Sequence, residues 1–179
     1  MQQFARRGFQ LRSASLETRL AYTGFLLLTA LGLVSFGALS FGRAGFHPGA
    51  IATYYRGGEG EMSFPKTFWQ LMEVSHFHLF SVPTVVLILT HLLHATPAPR
   101  GFRLALSGAT YAGALLEITG PWAVRYLSAR FAYTLLAGWA LLGGGSALIV
   151  LVTLLAMWGP APAPPPARAP NAPTPSEKQ

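Results

Sequence analysis

Met72-Glu73-Val74-Ser75-His76-Phe77-His78-Leu79-Phe80-Ser81-Val82-Pro83 leads into an apolar segment that ends on His91-Leu92-Leu93-His94, with no Asp, Glu, Lys or Arg between residues 74 and 99. A helix needs ~20 such residues to cover the ~30 Å hydrocarbon core of a bilayer. Four of the five histidines of the chain stand near the two ends of this one segment. Histidine is rare in lipid, ligates haem or metals, and exchanges protons near neutral pH. The stretch therefore predicts both a membrane helix and a place to look for chemistry.

The same signature recurs outward from it. Only 11% of the 179 residues are charged and 51% are apolar, where a soluble domain carries roughly one-quarter charged residues. Residues 20–41 and 131–158 contain no charge, and residues 104–124 contain only Glu117, followed by Gly120-Pro121. The expected fold is an all-α polytopic membrane protein, a four-transmembrane-helix bundle over residues 20–158. A basic N-terminal segment, 1–19, precedes it. Residues 159–179 form a Pro/Ala-rich tail, where proline density predicts an extended, disordered chain. The alternative count is three spans with an irregular, re-entrant or tilted element at 104–124.

The net charge of +7 does not point to nucleic acid, because the arginines flank apolar runs. Arg6, Arg7, Arg12 and Arg19 precede the first span, Arg100 and Arg103 separate the second from the third, and Arg125 and Arg130 separate the third from the fourth. Cytoplasmic termini place eight basic residues inside and five outside, in keeping with the positive-inside rule for a multi-pass protein of the inner (plasma) membrane. The absence of cysteine excludes disulfides, thiolate metal sites and c-type haem attachment. Arg6-Arg7 precedes its apolar run at too great a distance, across Glu17 and Arg19, for an export signal.

Packing is expected through small residues, which let helix backbones approach closely in lipid. Gly108 with Ala112, and Ala109 with Gly113, supply four-residue spacings; Gly143-Gly144-Gly145 admits a neighbouring helix, a cofactor ring or a bend. Trp69, Trp122 and Trp158 fall at span ends as interface anchors, with Trp139 deeper. The connection from Arg43 to Lys66 carries His47 and Tyr54-Tyr55-Arg56. These residues suit docking of a partner or a cofactor carboxylate, or seating of the loop on headgroups.

On an ideal helix Glu73, His76, Thr84, His91 and His94 share an arc of about 80°, while His78 points to the opposite side. Polar side chains in a membrane prefer the bundle interior, so this stripe is expected to face inward. Pro83 removes one helical donor and is expected to kink the segment. Three chemistries compete for it. Haem b would use His76, His91, His94 or His78, with the histidines near opposite membrane faces; its second axial ligand must come from His47, Met62, Met157 or another subunit. Zinc or copper would use Glu73, His76, His78 and His47. Proton or quinone handling would use Glu73, Glu117 and His76 at one end and His91 and His94 at the other.

The reading that joins these observations is a small subunit of a cytochrome- or quinone-linked electron-transfer complex, meeting lipid and other membrane subunits or copies of itself. The alternatives are an assembly or anchoring subunit with structural histidines, and a membrane metal-binding or transport protein. Standalone catalysis has no supporting residue arrangement.

Overall fold

The computed structural model describes residues 11–58 and 62–160. The Arg6-Arg7 pair, Glu59, Glu61 and the proline-rich tail beyond residue 160 lie outside the described residues. The rest is helical: α1 (Leu16–Ala44), α2 (Pro48–Arg56), α3 (Phe68–His94), α4 (Arg100–Trp122), α5 (Phe131–Trp139) and α6 (Gly145–Trp158). A π-helical turn, Ala123–Leu127, follows α4, and a second, Ala140–Gly144, joins α5 to α6. Three rods are long and apolar enough to cross a membrane: α1, α3 and the continuous Phe131–Trp158. α4 is not among these three, since Arg100, Arg103 and Glu117 lower its apolarity.

Local chemistry sets the helix ends. Ser15 caps α1, accepting from the backbone N–H of Thr18 at 3.4 Å. The lead-in Thr67-Phe68-Trp69-Gln70 is a capping box: Gln70 N donates to Thr67 Oγ1 at 3.2 Å, and Thr67 N to Gln70 Oε1 at 2.9 Å. Gly57 ends α2 at φ +82°, where a Cβ would also collide with Ser63 and Pro65. α3 runs unbroken through Pro83, with Ser81 and Thr84 hydroxyls bonded to the Phe77 and Phe80 carbonyls.

The four long segments alternate in direction, so α2 and the 123–127 turn share one end of the bundle and the described termini share the other. At the termini end Leu11, Leu26, Leu93, Ile149 and Met157 form a buried cluster. Arg12 donates to the Gly159 and Pro160 carbonyls, and Arg19 to the Met157 carbonyl at 2.8 Å. These cations thus occupy the negative end of α6. Trp158 accepts the Arg19 guanidinium over its ring and donates to Thr23 at 3.0 Å. At the α2 end Ala44, Ile51, Val124, Ala132 and Leu135 are buried together.

Of the two four-residue spacings expected on α4, the closest helix contact uses Gly113, paired with Ala109, and not Gly108, paired with Ala112. Gly108 faces open space, and so do Gly143 and Gly144. Gly113 and Gly120 of α4, seven apart, oppose Gly138 and Gly145 of the last rod, also seven apart. An added Cβ would strike Leu141 and Leu142 at Gly113, Leu135 at Gly120, Leu116 at Gly138 and Thr110 at Gly145. The lipid-like surroundings offer no hydrophobic drive between helices, so this near backbone contact supplies dispersion instead. α1 is the least covered helix: only Leu26 and Ala44 are buried, while Leu27, Leu28, Leu31 and Val34 are exposed.

Candidate functional site

Of the residues singled out above, the structure brings His78 and Glu117 together. His78 Nδ1 lies 2.9 Å from Glu117 Oε1 and 3.0 Å from Oε2. The Glu117 side chain is 6% exposed and that of His78 is 32% exposed. A carboxylate so enclosed requires a donor, because an unpaired buried charge costs several kcal/mol. With Nδ1–H committed to the carboxylate, the other ring nitrogen of His78 makes no further hydrogen bond among the described residues. It is the group able to meet a ligand.

The pair exists because of packing on both sides. Gly138 brings α5 against Leu116 and Glu117, a notional Cβ lying 2.8 Å from Leu116 Cβ and 3.1 and 3.2 Å from the Glu117 and Leu116 backbone. Trp122 Nε1 donates to Ser75 Oγ at 2.7 Å, locking α4 to α3 one turn above His78. Phe68 packs edge-on to Trp122, with ring centroids 5.3 Å apart.

Three cavities meet at this pair. The first, about 460 Å³, is an apolar cleft between α1 and α3, walled by Phe25, Leu33 and Phe36 on one side and Val82 and Val85 on the other. His78 and Glu117 are its titratable lining residues. The other two, about 300 and 250 Å³, reach the pair from the α2 end and share Arg43, Tyr54 and Tyr55 as walls. Burial raises the pKa of the Tyr55 hydroxyl above 10.0, reinforced by Tyr54 and Glu117 and opposed by Arg43.

α2 is anchored over these openings. Arg56 donates to the Val124 and Arg125 carbonyls at 3.0 and 3.2 Å, satisfying the end of the 123–127 turn. Lys66 N donates to Tyr55 O at 3.0 Å, and the Lys66 ammonium sits 4.2 Å from the Tyr54 ring centre. Arg56 is therefore committed to the backbone rather than open to a cofactor carboxylate, whereas Tyr54 and Tyr55 line the cavities.

The expected polar stripe is real but turned the other way. Glu73, His76, Thr84, His91 and His94 are all exposed, although Glu73 borders the 300 Å³ cavity and His94 reaches α4; the histidine packed on the buried carboxylate of α4 is His78. Their common arc follows from helical period alone; which arc meets α4 follows from the Trp122–Ser75 and Glu117–His78 contacts. His76 packs against the Phe80 ring at 5.3 Å. His94 Nε2 lies 3.3 Å from Ser107 Oγ.

The metal set is not assembled. No group of three or more His, Asp or Glu able to hold one ion occurs among the described residues. His47 caps α2, its Nδ1 accepting from Gly49 N at 3.2 Å, His76 faces outward and His78 is paired with Glu117. As for the candidate second haem ligands, no transmembrane helix but α3 carries histidine, His47 caps α2, Met157 is 1% exposed within the apolar core and Met62 is exposed in the loop before α3.

The pairing of His78 with Glu117 has one sequence signal: Glu117 is the acidic residue of the otherwise uncharged run 104–124, and His78 is the histidine that lies off the stripe of its helix. A lone acid in a lipid-crossing bundle implies a donor on a neighbour. Which neighbour depends on helix rotation.

Comparison with curated proteins and with solved structures gives no match. A family model described as a transmembrane helical domain, Aq_1264_TM, matches residues 45–164. That range holds α2, α3, α4 and the Phe131–Trp158 rod, and with them both members of the pair and the α2 helix over it. This is a membrane protein, and the chain belongs to the Aq_1264_TM family of transmembrane helical domains.

Proposed function

We propose that this protein is a membrane subunit of a quinone-linked electron-transfer complex, and that His78 and Glu117 bind the polar head of the quinone. The observation that carries this reading is the His78–Glu117 pair at the wall of an apolar cleft of about 460 Å³ between α1 and α3. A lipid-soluble carrier needs such a site: an apolar slot reached from the bilayer, with few convergent polar groups to fix a carbonyl. Reduction of a quinone to its quinol takes up two electrons and two protons. The electrons would come from a redox group in a partner subunit; a histidine held by a carboxylate is suited to deliver one proton at the carbonyl oxygen. The four-crossing topology belongs to the same proposal, with α4 as the fourth span and the termini in the cytoplasm.

A short-chain quinone analogue titrated against the purified protein in nanodiscs tests the reading. Charge-assisted hydrogen bonds are worth about 1.5–3 kcal/mol, so His78→Ala or Glu117→Gln should weaken binding by roughly ten- to a hundredfold. Unchanged affinity in both variants would overturn it.

A second reading has its own observation, the outward histidines His76, His91 and His94. Here that face meets another subunit, and the histidines serve assembly or supply one ligand each to a haem b completed by the partner. A reduced-minus-oxidised spectrum of the protein purified with its partners, repeated for His76→Ala and His91→Ala, separates the two roles. Lost complex without spectral change means assembly; loss of a haem band means ligation.

A further inference from the structure

We propose that the space beneath α2 is a hydrated vestibule that carries protons between one aqueous face and the His78–Glu117 pair. The site is then served from two directions, by the bilayer for its apolar ligand and by water from the α2 end for its protons. The inference rests on reading the pair as a proton-exchanging site, and it adds the side from which the protons come.

The geometry lies in the cavities. The apolar cleft and the two α2-end cavities have His78 and Glu117 in common as lining residues. Yet their walls are chemically opposite. Besides the pair, the cleft offers hydroxyls such as Thr29 and Ser81, which already donate to the Phe25 and Phe77 carbonyls of their own helices. The 300 Å³ cavity instead continues past Arg43, Tyr54 and Tyr55 to Lys66, Gln70 and Glu73 at the exposed start of α3. Internal water requires two to four polar partners and about 30 Å³ per molecule. A space of that size and polarity accommodates roughly ten waters, whereas the cleft, apart from the pair, offers only scattered hydroxyls such as Thr29, Ser81 and Ser146.

Tyr55 stands where the two α2-end cavities adjoin the pair. Its hydroxyl stays protonated into the alkaline range because of burial, so it can pass a proton as donor and acceptor without becoming a charged trap. The titratable groups along the route are Glu73 and Lys66 at the mouth, Tyr54 and Tyr55 within, and His78 and Glu117 at its end, with Arg43 as a fixed cation beside them. The roof is held in place by Arg56 on the 123–127 turn and by Lys66 on Tyr55, which favours a standing channel over a gate.

The protein has no cysteine, so single-cysteine variants of the full chain report water access without background. Gln70→Cys, Val74→Cys and Tyr55→Cys, at the rim and inside, should react with a membrane-impermeant cationic methanethiosulfonate from one side of oriented vesicles only. Ser81→Cys and Leu28→Cys in the cleft should react only with a lipid-soluble maleimide. A lipid-soluble carbodiimide, which modifies protonated carboxyls, then reads the proton itself: its labelling of Glu117, mapped by mass spectrometry, should follow the pH on the α2 side and ignore the pH on the other. Val74→Cys and Tyr55→Cys reacting no faster than Ser81→Cys would overturn the vestibule. So would Glu117 labelling that follows the opposite side, both sides equally, or neither. Quinone-analogue affinity plays no part in these readouts, so a wet, one-sided vestibule without quinone binding would overturn the ligand reading and leave the proton route standing.

Discussion

At His78 and Glu117 a ring nitrogen and a carboxylate meet 2.9 Å apart between two helices, and the energetics of such a contact are asymmetric. Removing one partner strands the other; removing both can be nearly neutral. Glu117→Ala should therefore lower resistance to unfolding by about 1–3 kcal/mol, while Glu117→Leu combined with His78→Phe should recover most of the loss. Thermal unfolding in one detergent, arranged as a double-mutant cycle, measures the coupling. Tyr55 gives a separate prediction. Its folded pKa is raised above the ordinary 10.0, so the neutral hydroxyl favours the fold. That contribution is whole below about pH 10 and is lost as pH rises through the folded value. Stability measured from pH 8 to 11.5 should fall at the alkaline end, and Tyr55→Phe should flatten part of that fall. At this scale the sequence was a partial guide. It marked His78 and Glu117 as titratable residues in apolar runs, but their partnership depends on two helices far apart in the chain.

Between elements, the decisive contact is the glycine seam of α4 on the Phe131–Trp158 rod. Gly113, Gly120, Gly138 and Gly145 each leave less room than a methyl group requires, whereas Gly108 and Gly143 face open space. Gly138→Ala should therefore destabilise by about 1–3 kcal/mol through overpacking and push α5 from the Glu117 backbone. Gly108→Ala should be neutral or slightly stabilising, since alanine is the better helix former. Unfolding of the two variants in the same detergent distinguishes a seam at seven-residue spacing from one at Gly108 and Ala112. Helix existence was legible from the charge-free runs, because lipid leaves the backbone no alternative to internal hydrogen bonding. The seam was not, because many small residues satisfy a four-residue spacing and only the approach of a second helix selects among them. The capping box at Thr67 and Gln70 is local chemistry, its reciprocal bonds closing within the first turn of α3.

On the scale of the whole molecule, α1 and the outward face of α3 are left uncovered. His76, Thr84 and His91 form one polar arc there, and polar groups facing lipid are costly unless a partner or the headgroups receive them. A subunit role predicts that Thr84→Cys, at the middle of that arc, cross-links to another polypeptide in native membranes. A cross-linker that attaches only lipid or nothing at Thr84 would count against it. Length, apolarity and the flanking arginines were readable directly from the chain, since a bilayer imposes one solvent and one thickness on every crossing segment. They established a helical membrane protein and placed four histidines on one helix. Helical period also determined which side chains share an arc. It could not say which arc faces protein, because lipid and helix neighbours are equally apolar and a polar stripe can meet a neighbouring helix, a partner or the headgroups. The tertiary structure made that choice through the glycine seam, the Trp122–Ser75 bond and the enclosed carboxylate of Glu117, and in doing so moved the candidate site from the stripe of Glu73 to the side occupied by His78.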